Sequence, residues 1–334
     1  MNDAALSHDT LVERLHALAN ASLHLWDVPE GATARLINLS ENATYMVEGP
    51  DDYRSVLRVH REDYHTVNAI GCELAWMAAL KNEGGVDTPP AIPGRDGELI
   101  QTAVVEGLPR PRQMVMFQFV EGVEPDETAD LVGPFEELGE IAARTHVHVA
   151  KWQKPETFER LIWDYEHTLG STPNWGDWRA APAMDAAALA VLERQQEVIR
   201  RRLEAFGMGP ERYGLIHADM RLANLLIHDG ATRLIDFDDC GLGWHMYDFA
   251  AGVSFIEDSP QIPALKDAWV RGYRKVIDLP AEDEAEIDTF VMLRRMVLLA
   301  WIGSHIETDL AQEMGKTFTK VSVDLAEDYL SRFA

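Results

Sequence analysis

Apolar side chains recur at helical spacing from Thr10 to Leu25, as Leu11, Leu15, Leu18 and Ala19, so the chain is predicted to open on an amphipathic helix. The period then shortens. The segments ARLINLS, ATYMVEGP and YRSVLRVH are rich in β-formers, and the turn signals Glu41-Asn42 and Gly49-Pro50-Asp51-Asp52 separate them, which predicts an antiparallel meander. From Thr66 to Leu80 the 3.6-residue period returns, with Ile70, Leu74, Met77 and Leu80 on one side, until Gly84-Gly85 breaks it. Two further apolar stretches, ELIQTAVV and QMVMFQFVEG, flank a turn at Gly107 to Pro111 and extend the expected sheet to about five strands. Residues 1–120 therefore read as a β-rich lobe with a leading helix.

Beyond Glu121 the pattern turns helical, in FEELGEIAARTHVHVA and again from Met184 to Phe206, so residues 121–334 are expected to form a larger, mainly α lobe. Lys151 to Ala183, rich in Trp, Pro, Asn and Asp, shows no period and is read as a substrate loop. Phe290 to Ile306 is apolar except for Arg294 and Arg295, which suggests a buried helix whose arginines face a cleft or a partner. No segment reaches the ~18 uncharged apolar residues of a membrane span. No repeat of solenoid or propeller period is present.

The 334 residues, 46% of them hydrophobic, suffice for two lobes. With 56 acidic against 30 basic side chains the formal charge is -26, a field that repels nucleic acid and anionic membranes. That charge is read first as solubility, and in a sharper reading as favouring cationic substrates. The two cysteines, Cys72 and Cys240, lie too far apart for a zinc or CxxC spacing, and the start MNDAALSHDTLVERL lacks the basic and apolar runs of a secretory signal. A soluble cytoplasmic protein is expected.

The densest polar cluster lies between Tyr213 and Phe249. Asn224 to His228 and Thr232 to Ile235 are strand-like and meet across Asp229-Gly230, a strong hairpin signal. His217 and Asp219 precede the hairpin and Asp236 follows it, so Asp219, Asn224 and Asp236 are expected at one end of a short ribbon. Two carboxylates and an amide there suit Mg²⁺, a hard ion that keeps waters and substrate phosphates as its other ligands. A single aspartate at a strand end usually caps local amides. The joint spacing, His-x-Asp-x4-Asn and then Ile-Asp-Phe-Asp after a hairpin, argues for chemistry instead.

This segment resembles the catalytic and metal-binding motifs of the aminoglycoside phosphotransferase, choline kinase and homoserine kinase families, which are similar in fold to protein kinases. The resemblance implies an α+β bilobal fold, a small antiparallel β lobe plus a larger helical lobe, and an ATP- and Mg²⁺-dependent kinase. Asp219 then matches the base for the substrate hydroxyl, Asn224 and Asp236 the Mg²⁺ ligands, and His217 the histidine that holds the catalytic loop. Asp248 matches a buried aspartate that fastens this loop; read alone, it is a helix N-terminal acid. Arg221 is placed either to touch the transferring phosphate or to form a surface salt bridge. Asp238 and Asp239 flank the metal position and are candidates to hold substrate or a second ion, Asp238 the first of the two. In the small lobe Arg58 stands where a lysine is common, and as an always-charged bidentate donor it still suits phosphate. Glu73 matches its ion-pair partner. Ser40, Glu41, Asn42, Ala43 and Thr44 occupy the place of the phosphate loop, without a glycine, and Gln118, Phe119 and Val120 that of the adenine-binding hinge.

Nothing in the motifs fixes the acceptor. The acidic field favours an amino alcohol, a homoserine-like amino acid or an aminoglycoside, and Trp244, Tyr247 and Trp301 are either a cation-π wall or plain core. A stress-response type Ser/Thr protein kinase shares these motifs, but little platform for a peptide separates Asp239 from Tyr247. A catalytically dead nucleotide-binding scaffold has no need for Asp219, Asn224 and Asp236 together.

Overall fold

The computed structural model describes residues 6–40, 42–306, 308–315 and 317–334; the readings placed on Glu41 and on the first five residues lie outside these. The chain divides into two compact units. The first comprises Met1–Ala79, Thr88–Glu121 and Lys154–Glu159, and the second Leu80–Asp87, Gly122–Gln153 and Arg160–Ala334.

In the first unit, helix α1 (His8–Ser22) is capped by the Ser7 side chain, which accepts from the Thr10 amide. Its apolar stripe, Leu15, Leu18 and Ala19, packs with Trp26, Tyr45, Val47, Leu57 and Met116 into one core. Strands β1 (Thr33–Leu39), β2 (Ala43–Glu48) and β3 (Arg54–Val59) form the expected meander. β4 (Ala91–Ile92), β5 (Gln101–Ala103) and β6 (Arg112–Gln118) complete an antiparallel sheet of order β1-β2-β3-β6-β4, with β5 also on β6. The sheet thus has six strands rather than about five. The extra one is two residues long, too short to show a period, and follows Pro89-Pro90, which hold the chain extended. The β2-β3 connection is a type I′ turn, with Asp51 and Asp52 both at φ 57°, whose twist matches the strands it joins. Helix α2 (Val67–Ala79) follows β3 and buries Ile70, Leu74 and Met77.

The second unit is mainly helical: α3 (Val132–Val149), α4 (Tyr165–Thr168), α5 (Ala186–Phe206), α6 (Tyr247–Gly252), α7 (Ile262–Arg274), α8 (Ala281–Ser304), α9 (Asp309–Met314) and α10 (Phe318–Phe333). Strands β7 (Leu161–Trp163), β8 (Tyr213–Ile216) and β11 (Gly241–Trp244) make a sheet of order β7-β11-β8, and β9 (Leu225–His228) pairs with β10 (Ala231–Leu234). The hairpin turn carries positive φ at both Asp229 and Gly230, 51° and 77°, again type I′. The stretch from Lys151 to Ala183 is therefore not one loop, because it contributes β7 and α4 to this unit and Lys154–Glu159 to the other.

Helix α8 is buried almost all round, from Ile287 to Ile302. Arg295 does not face a cleft or a partner. It is 2% exposed, pairs with Glu257 at 2.5 Å and lies 3.4 Å over the Phe318 ring. α3 and α7 approach so closely that a Cβ on Gly139 would sit 2.0 Å from the Trp269 carbonyl oxygen, and one on Gly272 would sit 1.8 Å from that of Glu136. Backbone cannot yield as a flexible side chain does, so Gly139→Ala is expected to cost about 2 kcal/mol in a denaturant titration through overpacking. A variant as stable as the parent would mean that the helix pair separates at little cost.

Candidate active site

The site in the second unit is built on the loop between β8 and β9, residues 217–224. Ala218, fully buried, adopts φ 66°, a left-handed conformation that residues with a Cβ resist. Asp248 at the start of α6 imposes it: Oδ1 accepts the Ala218 amide at 2.7 Å and Oδ2 the His217 amide at 3.3 Å. The same Oδ2 accepts from His146 Nε2 at 2.9 Å, and His146 Nδ1 lies 3.0 Å from the Tyr273 hydroxyl. His146, on α3, also stacks on His245 at 4.4 Å. The sequence reading missed His146, which sits in an ordinary helical pattern.

His217 bridges the loop to the hairpin. Its Nδ1 accepts from the Asp219 amide at 3.2 Å, so Nε2 carries the proton that it donates to the Ile235 carbonyl at 3.3 Å. Burial lowers its pKa, against the opposing pull of Asp248, Asp219 and Asp236. A neutral imidazole with both nitrogens occupied is a brace and not a proton carrier.

Asp219 is enclosed by donors. Arg294 Nη2 reaches Oδ1 at 2.7 Å, while Asn224 Nδ2 at 2.7 Å and Arg221 Nε at 3.3 Å reach Oδ2. Burial pushes its pKa up, but the charges of Arg221 and Arg294 outweigh this and hold the carboxyl below the usual range. Arg221 is thus tied to Asp219, within its own loop. Arg294 is 1% exposed and completes its bonds on Ser254 Oγ at 3.0 Å, the Ala218 carbonyl at 3.3 Å and Tyr247 Oη at 3.3 Å. It comes from α8, 75 positions along the chain from Asp219.

Asn224 is buried, and its amide nitrogen is committed to Asp219, which turns its oxygen toward other partners. The Asn224 carbonyl accepts from the Ile235 amide at 2.9 Å, so the hairpin ends, and with them Asp236, are tied to Asn224. Asp236 is exposed at φ 62°, and its Oδ1 accepts the Asp238 amide at 3.4 Å. Asp238 is buried and Asp239 half-buried. No group of three His, Cys, Asp or Glu side chains is arranged as a metal cage among the described residues. One amide oxygen and one carboxylate, both hard donors, fit a Mg²⁺ ion that retains water and phosphate ligands.

The three aromatic candidates have separate surroundings. Trp244 is core, donating to the Gly207 carbonyl at 2.8 Å and packing on Tyr213 and Phe290. Tyr247 stacks on Trp163 and accepts from Arg294. Trp301 lies between Phe255 and His305.

In the first unit, Arg58 Nη1 meets Glu73 Oε1 at 2.7 Å, with both side chains almost fully buried. Thr44 sits directly opposite Arg58 across β2 and β3, so their side chains share a face. Asn42 Oδ1 accepts the Arg61 amide at 3.1 Å, closing the turn on the end of β3, and Ser40 donates its amide to the Asn42 carbonyl. At the hinge position the Gln118 amide is taken by the Pro90 carbonyl, and Arg54 lies 4.1 Å over the Phe119 ring; Val120 is half-buried.

The family model for the phosphotransferase enzyme family matches residues 33–285. Among solved structures, a microcompartment-associated aminopropanol kinase is 46% identical, covers 94% of this chain and 97% of its own, and superposes with a TM-score of 0.86. An amicoumacin kinase solved with AMP-PNP, Ca²⁺ and Ami covers 96% and 95% at 20% identity and a TM-score of 0.73. The amicoumacin kinase of Bacillus subtilis is 22% identical over 254 residues, 73% of this chain and 72% of its own. The α+β, protein-kinase-like class expected from the sequence is the class these structures share.

Because Arg294 lowers the pKa of Asp219, its removal moves that pKa upward. In Arg294→Met the acid limb of the kcat/KM profile is expected at higher pH, with kcat at its plateau reduced about 10²-fold by misplacement of the carboxylate. Arg294→Lys, which keeps the charge, should return the limb toward its original position. An acid limb that stays in place in Arg294→Met would show that Arg294 does not act on Asp219.

Proposed function

The chain belongs to the phosphotransferase enzyme family and is an ATP-dependent small-molecule kinase, and from that premise we propose that its acceptor is a small amine-bearing alcohol of the aminopropanol kind, with Asp219 as base. Two findings support the acceptor: the 46% identity to an aminopropanol kinase over nearly the whole chain, and the net charge of -26, which draws in a cation. The observation that carries the base is the enclosure of Asp219 by Arg294, Asn224 and Arg221, which keeps it ionised and fixed in direction.

The acceptor hydroxyl donates its hydrogen bond to Asp219. As its oxygen closes on the γ-phosphorus, the bond to the β-γ bridging oxygen breaks, ADP leaves, and the hydroxyl proton passes to Asp219. Phosphoryl transfer runs through a loose transition state, so a weakly basic carboxylate suffices: it aims the oxygen more than it strips the proton. Asn224 and Asp236, with Asp238 in support, are the residues that would hold Mg²⁺, which neutralises phosphate charge when bound. Arg221 faces the transferred group, and Asp248 and His217 keep the loop in shape. Residues 1–120 are assigned to the nucleotide, with Arg58, set by Glu73, and Ser40, Asn42 and Thr44 toward phosphate oxygens and the backbone of Gln118, Phe119 and Val120 toward adenine. Residues 121–334 are assigned to catalysis and acceptor. Tyr247 is linked to the base through Arg294, Asp239 is assigned to the acceptor or to support of the site, and Trp244 and Trp301 support the helices around it.

Mg²⁺-dependent ADP release is the test, with aminopropanol, ethanolamine, choline, homoserine, an aminoglycoside and a generic protein substrate as acceptors. Stimulation is expected from the amino alcohols, strongest with aminopropanol, and a fall of about 10²-fold to 10⁴-fold in Asp219→Asn with ATP affinity kept. Loss of ATP binding in that variant contradicts the role of base, and stimulation by the protein substrate alone contradicts the acceptor class. Asp236→Ala should weaken Mg²⁺-ATP binding, and equal affinity in parent and variant would remove Asp236 from the metal site.

A further inference from the structure

The segment that follows Asp236 is gripped by its carbonyl oxygens. Arg160 Nε donates to the Cys240 carbonyl at 2.8 Å, and Nη2 of the same side chain donates to the carbonyl of Asp238. Between these two, Trp163 Nε1 donates to the Asp239 carbonyl at 2.9 Å. Three successive carbonyls are captured by two side chains that lie three positions apart, at β7 and the residue just before it. Both donors are buried, Trp163 completely. A buried guanidinium is tolerated only where its N–H groups meet acceptors, so the bond pattern ties Arg160 to one conformation of residues 238–240.

The grip continues downstream. Gly241, Leu242 and Gly243 pair in parallel with Leu161, Ile162 and Trp163. A Cβ on Gly241 would lie 2.4 Å from the Leu161 carbonyl oxygen, so the two strands meet without room for a side chain. Upstream, Asp236 sits at φ 62°, a conformation that persists in a residue with a Cβ where the surrounding structure determines it. Phe237 is tied in as well: its carbonyl accepts from the Cys240 amide at 3.0 Å, and its ring lies 4.5 Å from that of His217.

We propose that Arg160 and Trp163 are a carbonyl clamp that presets Asp236 for the divalent cation, with Arg160 a positioning residue for metal binding. The clamp rests on the reading of Asp236 as a metal ligand. Without it, cation binding would have to order the segment as it bound. With it, the carboxylate is aimed before the cation arrives, and affinity is gained by preorganisation rather than by a further ligand.

The test is ADP binding by calorimetry, with and without Mg²⁺, for the full chain and for Arg160→Met, Trp163→Phe and Asp236→Ala. The gain in ADP affinity on adding Mg²⁺ is expected to fall at least about tenfold in Arg160→Met and by a smaller factor in Trp163→Phe. Metal-free ADP affinity should stay the same, and amide hydrogen exchange across residues 237–240 should quicken. A gain that survives in Arg160→Met while Asp236→Ala abolishes it overturns the clamp alone. A gain that survives in Asp236→Ala overturns the metal reading, and the clamp with it. Trp163→Phe keeps an aromatic side chain while deleting the donor, so it carries the test if Arg160→Met does not fold.

Discussion

Everything in the second unit's site hangs on a carboxylate that never touches solvent. Asp248 takes two successive backbone amides on its two oxygens, and a third donor, His146, fixes its direction. Charge-assisted bonds of this kind are about twice as strong as neutral ones, and a buried acid stripped of a partner costs roughly 3–5 kcal/mol. That is enough to hold Ala218 in a conformation that costs it about 1–3 kcal/mol. The bend at Ala218 is what turns Asp219 toward Arg294 and Asn224. The strain at Ala218 and the placement of Asp219 are one arrangement, and Asp248 maintains both.

Around this anchor the polar groups form a chain with few loose ends. Asn224 gives its amide nitrogen to Asp219 and its carbonyl to Ile235, His217 spans from the Asp219 amide to the Ile235 carbonyl, and Arg294 ties Asp219 to Tyr247 and Ser254. Asp219, the β9-β10 hairpin and two helices thus share bonds. Networks this connected respond to deletion non-additively, so single substitutions report on the unit and not on one bond.

The local parts of this arrangement were legible in the sequence and the distant parts were not. The hairpin from Leu225 to Leu234 is announced by Asp229-Gly230, because a type I′ turn demands two residues that accept positive φ and the signal sits within ten residues. The antiparallel meander of β1 to β3 was legible for the same reason. Arg294 was visible only as a charge interrupting an apolar helix. Its partner lies 75 positions upstream, and no periodicity links the two. His146 is hidden likewise, since a histidine within an amphipathic pattern looks the same whether it faces water or Asp248. β7 is three residues long, below the length at which alternation is readable, yet it supplies two of the contacts that shape the segment after Asp236.

Position 58 has a chemical consequence as well as a geometric one. The positive charge that a lysine would bring to β3 is preserved by the arginine, which pairs with Glu73 at 2.7 Å. A lysine, however, loses its proton readily enough to become a nucleophile, whereas a guanidinium stays protonated at every working pH. An electrophile that acylates a buried lysine amine therefore finds no reactive nitrogen at this position.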